Sequence, residues 1–355
     1  VMVFVMNLSS AEVRDRDYFF VVAYNMWAIW MGIGAMAIVT LFHSKHIRIL
    51  FMILMLLLPV RNLITQYKVH DRSREFIALD YGLNFLNSME ENAIIFTNGD
   101  NDTFPLWYAQ AVADPHAKEH VYPAKDVYPT PESQEAIKKA MEYKNKYLKG
   151  IRKDVSIANL SLLNTAWYIR QIRDKEGILF NVSDDLLDQM GPSRMEEDLV
   201  IPGPPAKPEM GFQLEIPPTA EWRKDEPFYR MSDIAVMQII KDNYGKRPIY
   251  FAVTCESYIG FEEYTRNEGM VARVVSTPDR DQIDIQRLLA NIDKTYQYRS
   301  ISDDKVYKDD NMSRLVMNYG SGFVRAANYF VNVSDFPKAL AYIANLLREW
   351  GCAET

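Results

Sequence analysis

The stretch Ala93–Tyr108, AIIFTNGDNDTFPLWY, sets Asn98, Asp100, Asn101 and Asp102 around Gly99 directly behind an apolar run. A strand that opens into glycine and short polar residues at a helix start is where α/β proteins place ligands. Three chemistries fit. As a DxD element, Asp100 and Asp102 would offer hard oxygen ligands to a divalent metal ion. Alternatively the same amides and carboxylates hydrogen-bond a ligand without metal. Or the carboxylates serve the backbone N–H groups and dipole of a following helix, expected over Thr103–Ala113 with Thr103 as its N-cap.

A second polar turn, Asn159, Ser161, Asn164 and Thr165, closes another apolar stretch. Amides and hydroxyls there suit sugar or peptide recognition and suit helix capping equally. His70 stands just before the first helix of the polar part, as an acid/base group or a helix-start packing residue. Trp107-Tyr108 and Trp167-Tyr168 follow the two turns at similar distances. That spacing predicts similar packing beneath both loops, with Trp107 also a possible carbohydrate-stacking ring. Arg247-Pro248 predicts a salt-bridged entry to a third strand. The chain has no GxSxG, no HExxH, no P-loop and no GxGxxG opening a helix after a strand.

Parallel strands must position these turns. Apolar runs at Ala93–Thr97 and Asp154–Leu160, each followed by a helical pattern (Thr103–Ala113, Asn164–Arg173), predict a β-α-β-α order with both strand ends in one crevice. Between them, 114–150 is proline-punctuated and charged, with a helix around Glu132–Leu148, and reads as an insertion or lid. Asp71–Met89 has helical apolar spacing. Gly191–Pro218 is proline-rich and reads as a loop or strap. A helix over Ser232–Asn243 leads to the strand Arg247–Thr254, and Met270–Val275 is an expected edge strand. Met312–Val333 and Phe336–Trp350 form a helical hairpin spaced like one tetratricopeptide repeat.

The 355-residue chain carries a net charge of −7, which argues against a nucleic-acid partner. Its two cysteines, Cys255 and Cys352, exclude a disulfide framework and a Cys-based zinc site. Residues Tyr18–Phe42 contain no charged side chain over 25 positions, enough to cross a bilayer, with Tyr18, Tyr24, Trp27 and Trp30 toward one end. A second span is expected over about 48–67. Val1–Leu8 reads as the tail of an earlier span, so the sequence is expected to be a piece of a larger polytopic protein. Lys and Arg counts beside the spans weakly favour a cytoplasmic large domain.

The expected architecture is therefore an α/β domain, a short mainly parallel sheet with flanking helices. A transmembrane helical hairpin precedes it and a TPR-like hairpin ends it. Its divisions are a membrane region (1–69), the α/β domain (70–300, insertion 114–150) and the terminal hairpin (301–355).

Several strings together carry a resemblance: Glu12–Phe19, His70-Asp71-Arg72-Ser73, Asn98–Tyr108, Asn159–Thr165 and Arg247–Thr254. The chain resembles, over nearly its whole length, a family of bacterial polytopic membrane proteins grouped with protein O-mannosyltransferase-like enzymes of the GT-C glycosyltransferase superfamily. The Asn98–Tyr108 string is the most specific part. The resemblance implies an inner-membrane enzyme that takes a sugar, mannose first, from a polyprenyl-phosphate donor. It would transfer that sugar to Ser/Thr of exported proteins, with the large domain periplasmic. The partners implied are the bilayer, the remaining N-terminal spans of the same protein and exported acceptor proteins. The catalytic carboxylate of such enzymes lies in an early extracytoplasmic loop, so none is transferred here; Asp15 and Asp17 resemble that placement only superficially. The 114–150 insertion departs from the shorter connection of the family. A membrane-anchored, non-catalytic binding or scaffold domain, and a metal-dependent enzyme using Asp100 and Asp102, are the competing readings.

Overall fold

In the computed structural model the chain is described over residues 20–193, 198–221, 227–278 and 282–349. Asp15, Asp17 and the Glu12–Phe19 string lie outside these residues. The chain divides into two compact units, 1–75 with 303–313 and 76–302 with 314–355.

The first unit is built on α1 (Val21–Thr40) and α2 (Lys45–His70). Both are long and apolar enough to cross a membrane, and neither buries a residue in the protein. At 1.5 Å per residue they extend about 30 and 39 Å, against a hydrocarbon core of about 30 Å. The second helix runs through Pro59 and Arg61 and continues past the residue 67 expected from sequence.

The second unit opens with α3 (Ile77–Ser88), then β1 (Ile94–Thr97), α4 (Asp100–Ala111), α5 (Pro131–Tyr147), β2 (Ser156–Asn159), α6 (Ala166–Glu176) and α7 (Asp184–Gln189). Two short hairpins follow: β3 (Leu199–Ile201) with β4 (Phe212–Leu214), and β5 (Ala220–Glu221) with β6 (Pro227–Phe228). After them come α8 (Met231–Asn243), β7 (Ile249–Ala252), β8 (Thr265–Asn267), β9 (Val271–Val274), α9 (Ile285–Ala290), α10 (Asp310–Asn332), whose residues 310–313 fall in the first unit, and α11 (Phe336–Glu349).

The main sheet has the order β2-β1-β7-β9-β8. Its first three strands are parallel, with Ile94 opposite Ser156 on one side and Ile249 on the other. The last two run antiparallel, Tyr250 facing Arg273 and Thr265 facing Val274. Strands β1, β2 and β7 are buried at every position, which explains their continuous apolar runs. Two sequence expectations need correction. Met270–Val275 is not the edge: β9 lies between β7 and β8, because Gly269, at φ 116°, turns the chain back on itself. The proline-rich strap also holds a hairpin, its strands too short for alternation to be legible.

Helix α3 lies hard against α4. A Cβ on Gly82 would stand 2.5 Å from the Pro105 carbonyl oxygen, so a glycine is required at that approach. Helix α5, in the insertion, packs beside α6 and sends Lys144 inward, where its Nζ donates to the Val155 carbonyl at 2.8 Å and pairs with Glu176. Arg247 is buried and forms no ion pair among the described residues. Its guanidinium donates to the carbonyls of Asn92, Ala93 and Gly177 and to the Ser156 hydroxyl. Burial holds its pKa down at about 10, the Glu176 and Asp154 charges acting the other way. The expected salt-bridged entry is thus a carbonyl-bonded clamp joining the amino ends of β1, β2 and β7.

The terminal hairpin buries Phe323, Ala326, Ala327, Phe330 and Ala339. Phe323 and Ala326 pack with Leu288 and Ile292 from α9 and the π-turn after it. Phe336 is 62% exposed, so it does not join that packing.

Candidate ligand-binding cleft

The carboxyl ends of β1, β2 and β7 meet at a cleft of about 570 Å³. Asn98 reaches it from the end of β1, and Leu160, Ser161 and Asn164 from the end of β2. Glu256, Ser257, Ile259, Gly260 and Glu262 follow β7. The remaining wall is Pro217-Pro218-Thr219 and the start of α8, Arg230, Ser232 and Asp233. The two polar tips expected from sequence therefore share one cavity. The size lies within the range of small-ligand sites, about 300–1,000 Å³.

The candidate residues separate by role. Helix α4 starts at Asp100, three residues before the expected N-cap, and Gly99 takes that position. Thr103 is instead inside the first turn, its hydroxyl donating to the Gly99 carbonyl at 2.6 Å. Asp102 is then the third helical residue and 2% exposed. Its Oδ2 accepts from the Asn98 N–H at 2.7 Å and the Thr254 hydroxyl at 2.5 Å, and its Oδ1 from the Gly99 N–H at 2.9 Å. Asp102 thus fastens the loop after β1 to the loop after β7. Asp100 and Asn101 are exposed on the same turn and are not part of the cleft lining.

Asn159 is buried beneath the cleft. Its Nδ2 donates to the Thr103 hydroxyl at 2.8 Å and its Oδ1 accepts from the Leu162 N–H at 3.0 Å. Asn164, which lines the cleft, accepts from the Ser232 N–H at 3.2 Å and so meets the first turn of α8. Among the described residues, no partner is made by the side chains of Asn98, Arg230 or Glu256. Glu262 accepts from the Ser257 hydroxyl at 3.0 Å and the Tyr258 N–H at 2.9 Å, both through Oε1.

Trp107 is half-buried on α4, 5.7 Å from the Phe104 ring, and is not a cleft residue. The expected match between Trp107-Tyr108 and Trp167-Tyr168 does not hold. Tyr108 is 44% exposed and donates to Asp114, whereas Tyr168 is 1% exposed and donates to the Ile157 carbonyl. Helix α4 begins seven residues before its tryptophan and α6 only one residue before its own, so the two pairs face differently. His70 belongs to the first unit, ending α2 with Nδ1 3.1 Å from the Gln66 carbonyl. Among the described residues, no group of three or more His, Cys, Asp or Glu gathers in a metal-ligand arrangement. A cation between Asp100 and Asp102 would compete with the hydrogen bonds that Asp102 already accepts.

Sequence reasoning missed Thr219, Arg230, Asp233, Glu256 and Glu262. One signal was present: Thr254 ends the third apolar strand as Thr97 ends the first, and Glu256-Ser257 follows it as Asn98 follows Thr97.

Fold and cleft define an α/β domain with a polar crevice at the carboxyl edge of its sheet, joined to apolar, membrane-length helices. A family model described as TMEM260-associated domain 2 matches residues 78–117, the segment from α3 through β1 and α4 that carries Asn98. No curated protein and no solved structure matches the chain.

Proposed function

We propose that this chain is the C-terminal part of a membrane-embedded, glycosyltransferase-like protein whose α/β domain binds acceptor polypeptide or glycan. The observation that carries the reading is the convergence of Asn98, Ser161 and Asn164 from two parallel strands on one polar cleft. Amides and hydroxyls at such a crevice orient a ligand through hydrogen bonds. Residues 78–117, which carry Asn98, also match a TMEM260-associated domain. On this reading a polyprenyl-phosphate sugar, mannose first, is the donor. Ser/Thr of exported proteins accept it, and the large domain is periplasmic at a bacterial inner membrane. No catalytic carboxylate is assigned within this chain.

Binding to the full chain in lipid nanodiscs tests the domain's role. A Ser/Thr-rich peptide or its mannosylated form is expected to bind, and Asn98→Ala is expected to weaken it by up to about tenfold. The loss of one hydrogen bond is worth about 0.5–1.5 kcal/mol. Absence of binding by either probe would remove the reading. Transfer of mannose by membranes carrying the protein with its other spans tests the enzymatic half.

A further inference from the structure

Resting on the reading of the cleft as a binding site, we infer that its occupant is an extended polypeptide segment presenting a basic side chain, rather than a neutral sugar. Among the described residues, the cleft lining carries no aromatic ring of the kind that stacks on a sugar's apolar face. What it presents instead is charge of both signs. Arg230 and Glu256 are exposed and make no ion pair or side-chain hydrogen bond among the described residues. Glu262 spends one carboxylate oxygen on Ser257 and Tyr258, leaving Oε2 for a ligand. Asp233, by contrast, is 5% exposed and occupied, accepting from the Thr219 hydroxyl and the Arg230 N–H. Among the described lining residues, the free charges are then one guanidinium and two carboxylates, a net negative set that favours a cation over a purely acidic ligand.

The Asn98 side chain adds the second half of the fit. Its amide, without a partner among the described residues, offers a donor and an acceptor side by side, the complement of a peptide bond's C=O and N–H. A peptide supplies main-chain amides, a basic group for Glu256 and Glu262, and a carboxylate or carbonyl for Arg230. A neutral oligosaccharide supplies none of the charges. Leu160, Ile259 and Pro217 give the apolar floor on which a lysine or arginine stem would lie.

The experiment uses the full chain in nanodiscs and three probes: a labelled Ser/Thr/Ala peptide with one central lysine, the same peptide with glutamate in its place, and mannobiose. The lysine peptide is expected to bind at least about tenfold tighter than the glutamate peptide, with an affinity that falls as salt rises. Glu256→Gln is expected to abolish most of that preference while thermal unfolding stays unchanged, since Glu256 makes no ion pair or side-chain hydrogen bond among the described residues. Arg230→Gln, also without an ion pair or side-chain hydrogen bond among the described residues, should weaken both peptides. Equal binding of the two peptides, or a preference that survives Glu256→Gln, overturns the inference. Binding of mannobiose without either peptide also overturns it but leaves the cleft as a glycan site. If no probe binds, the inference and the reading of the cleft fall together.

Discussion

Two carboxylates two residues apart in sequence lead different lives. Asp102 accepts from three donors in the protein and Asp100 stands exposed, so their substitution should separate sharply. Asp102→Ala would leave the Asn98 and Gly99 N–H groups and the Thr254 hydroxyl without their acceptor. Each unsatisfied group costs about 1–3 kcal/mol, and we expect a loss of about 3 kcal/mol in thermal or denaturant unfolding. Asp100→Ala, at an exposed carboxylate in the first turn of α4, should cost about 1 kcal/mol or less, the worth of a carboxylate at a helix start. Equal losses would show that both carboxylates hold the loop. At the same scale, Glu268 is 2% exposed between Arg273 and Arg287, with Glu90 and Asp284 nearby. Burial outweighs the two arginines and lifts its carboxyl to about 8. The folded chain therefore holds a proton that the unfolded chain has already lost at neutral pH. Stability is then greatest below the ordinary glutamate range and falls as pH rises toward 8. The unfolding temperature should drop between pH 6 and 8.5, and Glu268→Gln should flatten that slope.

At the scale of elements, sequence carried a good deal and missed for identifiable reasons. The strands β1, β2 and β7 were legible because each is buried on both faces and reads as an unbroken apolar run. The start of α4 was not. Gly99 caps it, and Asp102 closes the turn from inside the helix, a pattern that places the boundary three residues ahead of the Thr103 that looks like a cap. The cleft was half legible. Asn98 and Asn164 announce themselves at strand ends, whereas Arg230, Glu256 and Glu262 come from loops whose meeting depends on the order β2-β1-β7, set by contacts distant in sequence. The contact of α3 with α4 offers a test. Gly82→Ala would drive a methyl into the Pro105 carbonyl, and overpacking of this kind costs about 1–3 kcal/mol. An unchanged unfolding temperature would mean that the two helices separate freely.

For the molecule as a whole, α1 and α2 expose apolar side chains on every face, including Trp27, Trp30, Leu54 and Leu57. A bilayer is the solvent such surfaces fit. Met31→Asp sets a carboxylate near the middle of α1, where insertion scales charge about 2.5–3.5 kcal/mol. Carbonate extraction of membranes should therefore release more of the variant than of the parent; equal retention would show that α2 alone anchors the chain.

The sheet's central strand has its neighbours far along the chain: Ile94 pairs with Ser156 on one flank and Ile249 on the other. During synthesis from the amino terminus, β1 and β2 can close early, but the other flank of β1 waits, unpaired and apolar, until Ile249–Ala252 arrives. Nascent chains stalled between those points would carry an open β edge, the species most ready to aggregate or to engage a chaperone. Release beyond β7 should relieve that hazard in a single step.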